Sequence, residues 1–270
     1  MKANILLIAI TGMLVSFVPK TTIASNDTIL AKIDALNACL IELDTLDSRS
    51  DIDGEATHYL NEKIKQDLFT LLKLPATQHY PLQQLLHLQS SSTADGQLTI
   101  FSFFNNYGGT MWFHTNYVRY YLPNGKMNVE LLIVEGDGTE LYSTAASHGE
   151  NRFNNGHIFT IHTLSGLQYL SHGYTVICSS CDSHEWVLMS INKKGLAIEQ
   201  VVYVEYHFGQ GTSVFDTTNM EIRSQFAITQ SHTLGYDCNV WQKDTSGFYD
   251  VPVCYIIETY CYSNETFLEY

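Results

Sequence analysis

Two segments near the start of the chain carry apolar residues at the three- and four-residue spacing of an amphipathic helix. In the first, which follows the N-cap candidate Asp27, the apolar positions are Ile29, Leu30, Ile33, Leu36, Leu40 and Leu43. In the second, residues 56–72, they are Leu60, Ile64, Leu68, Leu71 and Leu72. Pro75 ends this segment because proline lacks the backbone N–H that a helix needs. The pattern predicts two helices around the polar stretch 44–55, and a short third helix at residues 81–88.

From about residue 95 the pattern changes to short runs that are rich in β-branched and aromatic residues and separated by turn residues. These predicted strands are residues 98–104, 111–122, 127–135, 158–163, 168–178, 185–192, 196–206, 221–229, 235–242 and 249–262, with a final edge at 266–270. Alternation within 196–206 places Leu196 and Val202 on the same face of their strand. Residues 90–93 are predicted to form a loop, and the Gly-, Ser- and Thr-rich segment 208–219 is predicted to be irregular.

The number of predicted strands, roughly ten, restricts the fold class. A sheet of that size curls, closes or splits into two packed layers, and no alternation of strands with helices supports a parallel α/β fold. We therefore expect a mainly β, α+β fold, in which an N-terminal helical segment packs on a large antiparallel sheet that is barrel-like or a sandwich. The expected division is a signal peptide at residues 1–25, the helical segment at 26–92 and an antiparallel β domain at 93–270.

The first 25 residues have the pattern of a secretory signal peptide. Lys2 supplies a positive start, residues 5–18 are largely apolar, and Thr22-Ile23-Ala24 offers small residues for cleavage. An uncleaved anchor is the alternative interpretation of the same stretch. We expect a secreted or periplasmic, cell-envelope protein with no integral membrane segment after cleavage.

The chain is acidic, with 28 Asp and Glu against 14 Lys and Arg and a formal net charge of −14. No cluster of Lys or Arg is present in the sequence, so binding to nucleic acid through a basic patch is not expected. The partner classes that remain are a small molecule, a glycan or another protein.

All six cysteines follow the predicted signal peptide, at positions Cys39, Cys178, Cys181, Cys238, Cys254 and Cys261. An even number of cysteines in an exported chain permits disulfides, and fifteen complete pairings are open. We predict a local bridge between Cys178 and Cys181 and one bridge among Cys238, Cys254 and Cys261. A redox dithiol is less favoured, because the Cys178–Cys181 pair lies between two predicted strands rather than at a helix N-terminus.

No motif in the sequence indicates a metal or a cofactor. The acidic stretch 47–55 has Arg49 and Leu60 where a calcium-binding EF-hand loop needs oxygen ligands. His157 and His162 are five residues apart on a predicted strand and point to opposite faces. The phosphate-binding loop, the nucleophile elbow and the dinucleotide-binding fingerprint are absent from the sequence.

Two predicted loops hold candidate functional residues. Within residues 143–155, His148-Gly149-Glu150 places an imidazole beside a carboxylate, which suits acid–base chemistry. Tyr107 and Trp112, beside Gly108-Gly109, offer aromatic faces for a sugar or peptide. The leading hypothesis is a non-catalytic exported protein of unknown function that binds a ligand or partner at the loop end of its sheet. The alternative is a secreted hydrolase with its site near residues 143–155, and no catalytic residue is assigned.

One stretch of the β region resembles a known signature. The stretch reads Asp95-Gly96-Gln97-Leu98-Thr99-Ile100-Phe101-Ser102-Phe103 and then Gly108-Gly109-Thr110-Met111. A similar pattern, a D-G-K-L-R-I-Y-S-W-like strand that is followed by a G-G-T-M loop, is present in uncharacterised secreted bacterial proteins. This chain has Gln97 and Phe103 where that pattern often has Lys and Trp. The resemblance implies export and a β-rich fold, and it carries no assigned activity and no catalytic residue.

Overall fold

The computed structural model describes residues 26–46, 54–79, 82–106, 113–133, 155–163, 166–178, 181–207, 211–228, 241–243, 250–252, 254–263 and 266–269. Two α-helices begin this part of the chain, α1 (Asn26–Thr45) and α2 (Glu55–Leu72). Two short 3₁₀ helices follow, Pro75–His79 and Leu82–Gln84. Both predicted helices are therefore confirmed, whereas the predicted third helix is only a 3₁₀ turn.

Strands make up most of the rest of the described chain. They are β1 (Gln89–Ser92), β2 (Leu98–Phe104), β3 (His114–Tyr121), β4 (Met127–Leu131), β5 (Asn155–His162), β6 (Leu167–Cys178), β7 (Cys181–Ile191), β8 (Leu196–His207), β9 (Gly211–Asp216), β10 (Glu221–Ile228), β11 (Trp241–Lys243), β12 (Asp250–Pro252), β13 (Cys254–Ser263) and β14 (Thr266–Glu269).

The strands form three four-stranded sheets and one short ribbon. The first sheet has the order β1-β2-β3-β4, the second β5-β6-β7-β8 and the third β14-β13-β10-β9, while β11 pairs with β12. Every described pairing is antiparallel, and none of the described sheets closes on itself. The mainly β, α+β prediction is confirmed, and the described sheets pack face to face as in a sandwich.

The helices and the three sheets pack as successive layers. The helices cover one face of the first sheet through Phe101, Phe103, Tyr117 and Val129. The other face of the first sheet, with Leu98, Ile100, Val118 and Tyr120, packs on Ile158, Tyr169, Val187 and Met189 of the second sheet. The far face of the second sheet, with Ile161, Leu170, Trp186, Leu188 and Val202, packs on Ile222 and Phe267 of the third. Because β2 packs on the helices with one face and on the second sheet with the other, residues 98–103 are all buried. A strand that is buried on both faces is expected to be almost continuously apolar, as β2 is.

A β-bulge in β8 overturns the predicted facing of that strand. Leu188 pairs with Gln200 and the next residue, Met189, pairs with Ile198, so Glu199 is the extra residue. Leu196 therefore packs toward the first sheet and Val202 toward the third, and the expectation that they share a face is wrong.

Two segments that were predicted to be loops are strands. Residues 211–216 form β9, which pairs with β10 although its composition is typical of an irregular segment. Residues 89–92 form the edge strand β1, whose serines are mostly exposed and therefore lack the apolar alternation that predicts a strand. Main-chain pairing to a neighbouring strand overrides composition in both cases.

Residues 1–25, the predicted signal peptide, lie outside the described residues. Among the helices that the structure describes, none combines the length and apolar character needed to cross a membrane.

Candidate functional site

A cavity of about 250 Å³ lies where helix α1 and the segment after Gln84 meet the ends of β1, β2 and β3. Its described lining combines apolar walls with polar and ionisable side chains. The lining residues are Leu40, Asp44, Leu86, His87, Gln89, Ser102, Phe104 and His114. We call this space the β2–β3 cavity.

The strand register places the strand residues that line the cavity on one face of the first sheet. Ser102 and Phe104 alternate along β2, where Ser102 pairs with Asn116 and Phe104 pairs with His114. Gln89 of β1 pairs with Ser102 from the other side. This is the face that packs on the second sheet through Leu98 and Ile100. The β2–β3 cavity therefore lies where that apolar interface gives way to polar side chains.

Three asparagines hold the neighbouring segments in place. Asn106, with a positive φ of 48°, donates its amide to the carbonyl oxygen of Leu43 near the end of α1 at 2.6 Å. Asn61 of α2 donates to the carbonyl oxygen of Asn105 at 2.7 Å. Asn37 of α1 accepts from the backbone N–H of Leu86 at 3.0 Å and donates to the carbonyl oxygen of Gln84 at 3.1 Å. The segment that follows β2 is thus fixed to α1 and α2, and the Leu86–His87 segment is fixed to α1, the helix that lines the cavity.

Two polar atoms in the wall of the cavity have no hydrogen-bond partner among the described residues: the Ser102 hydroxyl oxygen and Nδ1 of His114. Ser102 is fully buried and His114 is 5% exposed. More than nine in ten buried polar groups in folded proteins are paired, and leaving one unpaired costs about 1–3 kcal/mol. Ser102 and His114 therefore each bring one unpaired buried polar atom to the lining of the cavity.

His114 is uncharged at neutral pH. Burial lowers its pKa from 6.5 to about 4, because the charged imidazolium would lose its hydration. Its ring also contacts Phe104, with centroids 5.6 Å apart and planes at 50°. A histidine with so low a pKa is a weak base at pH 7, but its nitrogens still donate and accept hydrogen bonds.

The mouth of the cavity carries an ionisable pair. His87 Nδ1 lies 3.4 Å from a carboxylate oxygen of Asp44, and both side chains are partly exposed. Leu40 and Asp44 are one helical turn apart on α1, so an apolar wall residue and a carboxylate lie on the same face of the helix. The described lining is therefore apolar on its sides, polar and uncharged at Ser102 and His114, and acidic at its mouth.

A second group of histidines lies on the face of the second sheet that packs on the third. His172 Nε2 is 2.8 Å from His184 Nδ1, and the ring planes are 3° apart with centroids 5.1 Å apart. This geometry fits two rings joined edge to edge by one N–H···N bond, in which one nitrogen donates and the other accepts. Trp186 stacks on His172 at 4.2 Å, and burial together with His184 lowers the pKa of His172 to about 4. His172 is therefore neutral at pH 7.

Among the described residues, no three His, Cys, Asp or Glu side chains come together in a way that could hold a metal ion. Cys39, the one cysteine whose side chain the structure describes, is not part of a disulfide. Cys178 and Cys181 are direct partners across the β6–β7 hairpin, which is the position that the predicted bridge requires.

The site residues that the sequence singles out lie outside the described residues. These are His148 and Glu150 in the 143–155 loop, and Tyr107 and Trp112 beside Gly108-Gly109. Phe104 and His114, which flank the second loop, do line the cavity. Sequence reasoning missed Ser102 and His114. The available signal was a serine within the apolar run 98–104 and a histidine at the start of the next strand.

No protein-family model, curated protein or solved structure matches the chain.

Proposed function

We propose that this chain is an exported, non-catalytic β-rich protein that binds a small molecule in the β2–β3 cavity. The observation that carries the proposal is the pair of buried polar atoms, Ser102 Oγ and His114 Nδ1, which lack partners among the described residues and line one cavity. A bound molecule that pairs with them would offset their cost of desolvation. The pattern of residues 1–25 and the resemblance to secreted bacterial proteins support the export part of the proposal.

Binding is favoured over hydrolysis at this cavity by the state of its serine and histidine. A nucleophilic serine needs a base within hydrogen-bond reach, and the Ser102 hydroxyl has no hydrogen-bond partner among the described residues. His114 also has a pKa of about 4, which is well below the range in which a general base works at neutral pH. These two features support recognition by hydrogen bonds rather than proton transfer.

The proposal is tested by protein-observed NMR with a panel of neutral sugars, amino acids, amines and dicarboxylates. We expect at least one class to shift the amide signals of residues 102 and 114. Ser102→Ala combined with His114→Phe should abolish the shifts. Ser190→Ala and His162→Phe are the matched controls, because they make the same changes on the second sheet, away from the cavity lining.

Two results would overturn the proposal. One is a set of shifts that centres on the open groove beside Tyr59 and Phe69 of α2, or that survives unchanged in the Ser102/His114 double variant. The other is hydrolysis of an ester, glycoside or peptide substrate that disappears in Ser102→Ala, since that outcome would make the same cavity an active site.

A further inference from the structure

We propose that the β2–β3 cavity takes an uncharged, polyhydroxylated ligand of about monosaccharide size, with one hydroxyl group buried against Ser102 and His114. This inference rests on the function proposed above and adds the chemical class of the ligand. It follows from the hydrogen-bonding capacity of the two buried groups, from the charges around the cavity and from its size.

A hydroxyl group is the best match for the buried end of the cavity. The Ser102 hydroxyl can both donate and accept, and Nδ1 of neutral His114 accepts or donates according to which ring nitrogen carries the proton. A ligand hydroxyl satisfies every one of these combinations, because it also donates and accepts. A ligand carboxylate only accepts and an ammonium only donates.

A charged group at that depth has no compensating charge among the described lining residues. Ser102 is fully buried and His114 is 5% exposed and neutral at pH 7, so an ion beside them would lose its hydration without gaining a counter-ion. The described lining contains no Lys or Arg to neutralise an anion. The Asp44 carboxylate at the mouth and the net charge of −14 repel anions further.

A cationic ligand is disfavoured for a different reason. The carboxylate that would hold it, Asp44, has His87 3.4 Å away and a side chain that is 51% exposed. An ion pair at such an exposed position contributes little to affinity. Asp44 and Gln89 are instead suited to accept hydrogen bonds from further ligand hydroxyls at the cavity mouth.

The size and walls of the cavity favour a single ring. Its volume of about 250 Å³ is just below the range of roughly 300–1,000 Å³ that is typical of sites for drug-sized ligands. Leu40, Leu86 and Phe104 supply apolar walls. The C–H faces of a sugar ring pack against such walls while its hydroxyls reach the polar groups.

The test is calorimetric titration at neutral pH with three charge forms of the same ring: the neutral, amino and uronic acid forms of glucose and of galactose. We expect one of the neutral hexoses to bind and its uronic acid to bind at least about tenfold more weakly. Ser102→Ala and His114→Phe should each weaken binding of the neutral hexose by about tenfold or more. Asp44→Asn, which keeps the shape of the side chain and removes its charge, should lessen the penalty on the uronic acid relative to the neutral hexose.

The remaining outcomes separate the ligand class from the proposed function. If the amino sugar binds best and Asp44→Asn removes that preference, the cavity recognises a cation and the proposed class is wrong, although the binding function stands. If none of the six sugars binds while another class in the NMR panel shifts residues 102 and 114, the class is again wrong and the function stands. If neither experiment gives binding at these residues, both proposals fail.

Discussion

Ser102 and His114 line the same cavity, yet neither the Ser102 hydroxyl nor Nδ1 of His114 has a hydrogen-bond partner among the described residues. Thr115, the residue after His114, points to the opposite face of β3 and is also fully buried, but its hydroxyl bonds to the side-chain oxygen of Asn105 at 3.1 Å. On the helix-facing side of β2 and β3, the buried hydroxyl of Thr115 is hydrogen-bonded. On the opposite side, the buried hydroxyl of Ser102 has no hydrogen-bond partner among the described residues. An unpaired buried hydroxyl costs stability, and under the proposed function a bound ligand would offset that cost.

Ser102→Ala should not destabilise the protein. The substitution removes a buried oxygen that has no partner among the described residues, and relief of its desolvation cost should raise the free energy of unfolding by up to about 1–3 kcal/mol. Thr115→Val is the matched control, because it removes a bonded hydroxyl from the other face and should lower the free energy of unfolding by about 1 kcal/mol or more. Urea unfolding measures both, and a loss of stability in Ser102→Ala equal to that in Thr115→Val would contradict the assignment.

The stability of the protein should fall as the pH drops from about 6.5 to about 4. The pKa of His114 is about 4 in the folded protein against its usual 6.5, so the unfolded chain binds the proton more tightly across this interval. His172, whose pKa is also about 4, acts in the same direction. His114→Phe should therefore remove part of the pH dependence, at most about 3 kcal/mol.

The measurement is urea unfolding of the wild type and of His114→Phe at about pH 7 and about pH 4.5. His162→Phe serves as the control, since His162 is exposed and its replacement should leave the pH dependence as in the wild type. A pH dependence in His114→Phe that equals that of the wild type would show that His114 titrates normally in the folded state.

The packing of the third sheet on the second should depend on one buried hydrogen bond. Trp186 of β7 donates its indole N–H to the hydroxyl of Ser213 of β9 at 2.8 Å. Ser213→Ala leaves that N–H without its acceptor in the core and should lower the free energy of unfolding by about 1–3 kcal/mol. Ser90→Ala, at an exposed position of β1, should change it by no more than about 0.5 kcal/mol. Equal effects of the two substitutions would exclude a stabilising role for the bond.

Cys178 and Cys181 should form a disulfide in the exported protein. The two residues are direct partners in an antiparallel ladder, where Cα atoms lie about 4.5–5.5 Å apart, and this range is compatible with a disulfide. Peptide mass spectrometry with thiol alkylation before and after reduction should find the two cysteines unmodified until the reductant is added. Full alkylation of both without reductant would rule the bridge out and weaken the case for an oxidising compartment.

The periodicity of apolar residues was sufficient to predict the helices and most of the strands. Leu60, Ile64 and Leu68 bury the face of α2 that their spacing indicates. The predicted strand 98–104 coincides with β2. These elements bury long, regular apolar stretches, so their local pattern and the final packing agree.

The sequence did not reveal the bulge at Glu199, the strands β1 and β9, or the cavity. A bulge depends on how two strands pair, and an edge strand such as β1 needs main-chain partners more than apolar side chains. The cavity brings together Asp44, His87 and His114, which are far apart in the sequence and meet only when α1 packs beside the first sheet. A histidine at the start of a strand looks like any other strand residue until its burial is known.

The decisive experiment records the imidazole ¹⁵N signals of His114 at about pH 7 while each compound class of the panel is added. We expect a neutral imidazole, in keeping with its pKa of about 4, and a saturable change of the Nδ1 signal with at least one uncharged hydroxylated compound. A protonated imidazole at this pH, or an Nδ1 signal that no compound changes, would contradict the assignment of this cavity as the binding site.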